Sequence, residues 1–390
     1  MSDPLSLLII GGGPTGLSAA RAYRAAGGGG GVAIVTDEHR LPYNRPPLTK
    51  ELLTGEADED SLPIEAEGWL AQQRIGLVGG RAVALEPAGR TVTLSGGREL
   101  AYETCLLATG AEPKRLPLPG ADDPAVSVIR TIDHVRDLLR RIEAHEPVVV
   151  IGSGFIGCEI AASLRRRGHG EVMLVSDEEA PNAARLGPEA AERVRGWLHE
   201  AGVTVALGAE VQEIARDGDD VVVVAGETRA RGRTVVMAAG VAPRIELAGA
   251  AGIEVDGGAI PVESTMRTAR DGLLAAGDVA FAYNTAAGRR LRVEHWGDAL
   301  GQGEVAGKVA AGEPAQWSEV PGFWSMIGGH TLKYAAWGDG FDELRLQEHG
   351  GGAFTVWYGR DGRIVGVLTH EADEDYERGG ELIAQGAPWR

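Results

Sequence analysis

The chain predicts an α/β protein: two Rossmann-like dinucleotide-binding domains, each with an inserted β-meander, and a small C-terminal α+β domain. Three observations predict it. The glycine fingerprint Gly11-x-Gly13-x-x-Gly16 directly follows the apolar run Leu7-Leu8-Ile9-Ile10. A second fingerprint, Gly152-x-Gly154-x-x-Gly157, directly follows Val148-Val149-Val150-Ile151. Beyond residue 319 the composition shifts, and six of the eight tryptophans lie at Trp296 or later.

In each fingerprint an apolar run of strand length meets a glycine turn and then a helical pattern. The first glycine permits the tight turn, the second lets a pyrophosphate approach the backbone, and the third lets helix and strand pack closely. The helix N-terminus then faces the phosphates with its positive end. Pro14 and Thr15 open the first helix, and Phe155 and Ile156 the second. A Rossmann unit commonly carries an acid at the end of its second strand, about 20 residues on, to take a ribose hydroxyl. Val32-Ala33-Ile34-Val35 leads to Asp37 and Glu38, and Val172-Met173-Leu174-Val175 leads to Ser176, Asp177, Glu178 and Glu179. Two dinucleotide sites in one chain point to a flavin plus a nicotinamide, and so to redox chemistry.

The remaining elements repeat one plan. Gly27–Gly31 is a glycine run read as a mobile turn, and Leu48–Leu53 reads as helical after a proline-rich stretch. Val83–Leu100 alternates apolar and polar residues as a meander does, and a second meander surrounds Val221–Val224. Each half closes on an Ala-x-Gly segment, Ala108-Thr109-Gly110 and Ala238-Ala239-Gly240. The C-terminal part holds strand-like Phe354–Tyr358 and Ile364–Leu368 around Gly359–Gly362. The expected domains are 1–113 with 246–318 as a discontinuous first dinucleotide-binding domain, 114–245 as the second, and 319–390 as a C-terminal interface domain.

Bulk properties exclude several functions. The net charge of −18 disfavours nucleic acid or an anionic membrane as main partner. No apolar run reaches the roughly 20 residues of a membrane span, and Met1-Ser2-Asp3-Pro4 lacks a basic leader. A cytoplasmic protein, monomer or homodimer, is expected. Cys105 and Cys158 belong to no CxxC pair, so they read as small buried residues, with no metal site and no redox dithiol.

Several segments together resemble the FAD- and NAD(P)H-dependent ferredoxin reductases of oxygenase systems, the group of putidaredoxin reductase and biphenyl dioxygenase reductase, and more distantly apoptosis-inducing factor. They are Arg45-Pro46-Pro47-Leu48-Thr49-Lys50, Leu107–Pro113, Val150–Glu159, Ala276-Gly277-Asp278, Val293-Glu294-His295-Trp296 and Gly322-Phe323-Trp324-Ser325. The resemblance implies FAD in the first domain and a transient nicotinamide dinucleotide in the second. It places Thr15, Asp37, Arg45, Lys50, Val83, Arg130 and Trp296 against FAD, with Gly277 and Asp278 at its ribityl or phosphate side. Lys50 is the cation expected near the flavin's reactive edge. Glu159 is expected on the nicotinamide side, paired with Lys50. His295 is expected to pack or hydrogen-bond against the flavin, because hydride transfer needs no base. Trp324 is expected over the isoalloxazine or on the route of outgoing electrons.

Two departures stand out. Where the family continues Phe-Trp-Ser with Asp-Gln, this chain reads Met326-Ile327-Gly328-Gly329-His330-Thr331-Leu332, and Ser176 stands in place of the usual strand-end acid. The leading function is hydride transfer from NADH to FAD, then single-electron transfer to an iron–sulfur ferredoxin. The alternatives are an oxidase or small-molecule or quinone reductase without ferredoxin, or a redox-sensing flavoprotein. Arg289, Arg290 and Arg292 offer a basic loop for an acidic partner. Asp177, Glu178 and Glu179 cluster where a 2′-phosphate would sit, which favours NADH over NADPH.

Overall fold

The computed structural model of the protein describes residues 3–142 and 146–390. Its contacts divide the chain into two units. One gathers the residues up to Asn44, Pro63–Glu112 and Ala242–Phe323; the other gathers Arg45–Leu62, Pro113–Val241 and Trp324–Arg390.

In the first unit, the strand Leu5–Ile10 pairs in parallel with Val32–Thr36 on one side and Glu99–Leu107 on the other. Its last four residues are all buried, as expected of an apolar run covered on both faces. Ile75–Gly79 extends the sheet beyond Val32–Thr36. Glu99–Leu107 forks: its start pairs antiparallel with Thr91–Leu94 of the meander, and its end pairs parallel with Leu273–Ala275. The late segment 273–275 thereby places Gly277 and Asp278 beside the strand ends of the first fingerprint. Two helices, Pro14–Ala25 and Trp296–Ala310, touch backbone to backbone. A Cβ added at Gly303 would stand 2.4 Å from the Thr15 carbonyl oxygen, and one at Gly307 2.2 Å from that of Ala19. Only glycine permits that approach.

The glycine run differs from its expectation. Arg24 donates to the carbonyl oxygens of Gly28 and Gly30, and the Tyr23 hydroxyl donates to that of Gly29. The turn is tied down by side chains of the preceding helix rather than left mobile.

The second unit carries a parallel sheet in the order Thr204–Ala206, Val172–Val175, Val148–Ile151, Thr234–Met237, Val126–Ser127. An antiparallel meander, Val211–Asp217, Asp220–Ala225 and Thr228–Gly232, packs apolar residues onto it. The C-terminal sheet runs in the order Gly322–Ile327, His330–Ala336, Arg363–His370, Ala353–Arg360, Glu343–Gly350, with the helix Asp373–Ala384 packed against it. Its hairpin turns at Asp361 and Gly362, at φ 49° and 69°. Two successive positive φ values give the turn whose twist matches the flanking strands. Phe354, Trp357 and Tyr358 fill the core there. The segment Arg45–Leu62, kept with the first domain in the sequence reading, clusters with the second unit, as a short 3-10 turn Pro46–Thr49 and a helix Glu51–Thr54.

Candidate active site

The two glycine loops have the same internal geometry. A Cβ on Gly11 would stand 2.0 Å from the Ala108 carbonyl oxygen, and one on Gly152 2.5 Å from that of Ala238. A Cβ on Gly16 would stand 2.1 Å from the Gly11 oxygen, and one on Gly157 1.9 Å from the Gly152 oxygen. These glycines are required by backbone packing alone. The middle glycines differ: around Gly13 and Gly154 an added Cβ meets nothing within 4 Å. Packing does not explain them, whereas a pyrophosphate lying against the backbone does. Gly277, at φ +77°, supports the first cradle, because a Cβ there would stand 2.4 Å from Thr15 Oγ1. Asp278 beside it is buried, and the Gly277 amide donates to Gln302 Oε1 at 2.9 Å. Both cradles therefore fit a dinucleotide.

The strand ends repeat as well. Thr36-Asp37-Glu38 and Ser176-Asp177-Glu178 each close a turn in which the glutamate amide donates to the hydroxyl two residues back, at 3.3 Å in both. The acids then diverge. Glu38 accepts from the Tyr43 hydroxyl, and Asp37 is exposed. Glu178 Oε2 accepts from Ser153 Oγ at 2.6 Å and from the Asn182 amide at 3.0 Å, while Asp177 is exposed.

Glu159, one turn into the helix Phe155–Arg167, is 2% exposed. Its Oε2 accepts from Lys50 Nζ at 2.7 Å and Thr49 Oγ1 at 2.6 Å. Its Oε1 accepts from Ser325 Oγ at 2.7 Å and the Met326 amide at 3.3 Å. The carboxylate is filled by four donors from two distant stretches of chain. Lys50, 6% exposed, also donates to the Pro46 carbonyl at 3.1 Å, and its Nζ lies 4.8 Å from the centroid of the Trp324 ring. Trp324 is 45% exposed. A cation on an aromatic face, ion-paired from behind, is a charge fixed in place rather than a mobile surface lysine.

A family model for pyridine nucleotide-disulphide oxidoreductases matches residues 5–303. The chain belongs to that family. It is 32% identical over 378 residues to the ferredoxin reductase component of chlorobenzene dioxygenase from Cupriavidus sp., covering 96% of this chain and 91% of the relative. Among solved structures, the ferredoxin reductase of the CYP199A2 system from Rhodopseudomonas palustris matches at TM-score 0.93 and 31% identity, over 98% of this chain and 95% of that one. The putidaredoxin reductase–putidaredoxin covalent complex matches at TM-score 0.92 and 28% identity, over 98% and 93%. The family implies a flavin and a pyridine nucleotide.

This oxidoreductase has two free, fully buried cysteines, Cys105 and Cys158. Burial pushes both thiols well above their ordinary pKa, and the neighbouring Glu159 and Glu178 push Cys158 the same way. Neither is a nucleophile at neutral pH.

Other sequence-selected residues fall as follows. In the first unit, Val83 is 52% exposed, Ala108 is buried, and Thr109 Oγ1, next to Gly110, donates to the Arg244 carbonyl at 2.8 Å. His295 precedes the helix that Trp296 opens; its Nδ1 lies 3.2 Å from Asp298 and its ring 4.6 Å from that of Phe323. Glu294 pairs with Arg292, and Arg290 pairs with Glu263, so neither arginine presents an unpaired charge to an acidic partner. In the second unit, Arg45 donates to the Arg130 carbonyl at 2.7 Å, Ile156 is 48% exposed, and Ala239 and Gly240 follow the strand Thr234–Met237. The altered segment after Trp324 is anchored: the His330 ring stacks on Trp197 at 4.6 Å, 4° from parallel. The sequence reading missed Ser325 and Thr49 as partners of Glu159, and Ser153 and Asn182 as partners of Glu178. Aligning the two [Ser/Thr]-Asp-Glu turns would have drawn attention to Ser153, which stands where the first loop has Gly12.

Among the described residues no helix is long and apolar enough to cross a membrane, and no cluster of side chains offers a metal site.

Proposed function

We propose that this oxidoreductase takes hydride from NADH onto FAD and hands single electrons to an iron–sulfur ferredoxin that serves an oxygenase or P450. The observation that carries the reading is the buried Lys50–Glu159 pair beneath an exposed Trp324, in a chain whose two units each hold an open glycine cradle. The chemistry supplied by a bound flavin is conversion of two-electron donation into one-electron release. FAD would lie on Gly11–Gly16, Asp37 and Gly277–Asp278, and NADH on Gly152–Gly157. Lys50, kept by Glu159 from swinging to water, would supply a fixed positive charge of the kind that stabilises a reduced flavin. Trp324 offers an exposed aromatic face on which an acceptor can dock. The absence of an accessible thiol at Cys105 and Cys158 supports an external acceptor over an internal dithiol.

Rapid-mixing measurement of the two half-reactions tests this. The protein, purified yellow with one FAD, is expected to be reduced by NADH and reoxidised by an oxygenase-type [2Fe–2S] ferredoxin. Trp324→Ala should slow the second step at least ten-fold. Reoxidation by oxygen or quinones alone, with no ferredoxin reduction by the wild type, would overturn the ferredoxin assignment.

A further inference from the structure

The second dinucleotide site holds its ribose-reading acid in an unexpected place, and this inference rests on the NADH reading above. The site itself stands on the glycine loop, where Gly154 faces open space. Beside that loop Ser176 occupies the strand end and cannot act as a carboxylate. Of the two nearest acids, Asp177 is exposed, and its one side-chain contact among the described residues is a long 3.4 Å approach from Ser176 Oγ.

Glu178 is fixed instead. Ser153, between the first two fingerprint glycines and 1% exposed, donates from Oγ to Glu178 Oε2 at 2.6 Å. The Ser176 and Ser153 hydroxyls lie 2.8 Å apart, so Ser176 can donate to Ser153 while Ser153 donates onward. Asn182, at φ 59°, donates its amide to the same Glu178 oxygen and its Nδ2 to the Ser153 carbonyl at 3.1 Å. Every donor falls on Oε2. Oε1 takes no hydrogen bond among the described residues, and it is not a buried orphan, so it remains open to a ligand.

The first loop supplies an internal control. There Gly12 replaces Ser153 and has no side chain to grip an acid, and the equivalent Glu38 turns away to Tyr43. The same turn therefore presents different acids in its two copies.

We infer that Glu178, not Asp177, is the specificity-determining carboxylate of the nicotinamide-dinucleotide site. Its clamped Oε2 holds the group still while its free Oε1 accepts the ribose 2′-hydroxyl. A phosphate at that hydroxyl would meet a carboxylate that cannot rotate away, whereas exposed Asp177 can.

Calorimetric titration of the oxidised holoprotein with NAD+ and NADP+ tests this without turnover. Wild type should bind NAD+ more tightly. Glu178→Gln, nearly isosteric, should weaken NAD+ several-fold and tighten NADP+ at least ten-fold, while Asp177→Asn changes either by less than two-fold. Ser153→Ala, which keeps the charge but removes the clamp, should fall between, and it serves if Glu178→Gln fails to fold. A wild type that prefers NADP+ would sink the NADH reading. A wild type that prefers NAD+, with Asp177→Asn rather than Glu178→Gln or Ser153→Ala relaxing the preference, would overturn this assignment alone.

Discussion

Removing the Glu159 carboxylate should be among the most damaging single changes in the second unit. Glu159→Ala strips four donors of their acceptor at once: Thr49 Oγ1, Lys50 Nζ, Ser325 Oγ and the Met326 amide. The two hydroxyls can rotate to other partners, but the lysine cannot. It is 6% exposed and would keep only the Pro46 carbonyl at 3.1 Å, the Thr49 hydroxyl at 3.5 Å and the Trp324 face. Breaking a buried pair by deleting one partner costs about 3–5 kcal/mol. At about 2 °C per kcal/mol for a protein of this size, the melting temperature should fall by roughly 6–10 °C. Replacing both partners, Lys50→Met with Glu159→Leu, should recover much of that loss, because an apolar pair leaves no stranded charge. Thermal unfolding followed by circular dichroism on both singles and the double measures the coupling. A Glu159→Ala melting temperature within about 2 °C of wild type, or singles that simply sum to the double, would refute the reasoning. The same geometry has a kinetic consequence. Glu159 grips Ser325, the neighbour of Trp324, as well as Lys50, so its loss should slow both half-reactions rather than hydride delivery alone.

Two further outcomes follow from the same contacts. Ellman's reagent at pH 8 should leave both cysteines unmodified in the folded protein and label two per chain after denaturation, since burial raises both thiol pKa values. The linked stability is fully present below the unfolded thiol pKa of about 8.5 and is lost as pH rises toward the raised folded value; rapid native labelling would contradict this. Gly154→Ala should fold normally yet bind NAD+ at least ten-fold more weakly. Gly157→Ala should instead lose stability by at least about 2 kcal/mol, because its new Cβ would stand 1.9 Å from the Gly152 oxygen; equal melting temperatures for the two variants would contradict the division of labour.

What could be read from the chain was whatever depends on local pattern. Buried strands announced themselves as apolar runs, and the glycine loops by spacing, because a turn that tight admits few residue types. What could not be read was closure between distant segments. Ser325 reaches Glu159 across 166 residues, and Thr49 across 110. Nothing in the local sequence of Phe-Trp-Ser marks that serine as a carboxylate donor. Chain order also misled: Arg45–Leu62 lies within the first half of the sequence, yet Thr49 and Lys50 spend their polar groups on the helix that carries Glu159.

The acid that reads the ribose lay between these cases. Counting from the fingerprint singles out a cluster, Asp177, Glu178 and Glu179, without ranking its members. The ranking needs a clamp, and the clamp begins at the residue between the first two glycines. A fingerprint treats that position as free, since the turn places no demand on it. Freedom is what lets the two copies diverge there: Gly12 leaves Glu38 to Tyr43, while Ser153 holds Glu178 at the loop. In a duplicated fold, the positions that the shared backbone leaves unconstrained are where each copy can acquire its own ligand preference.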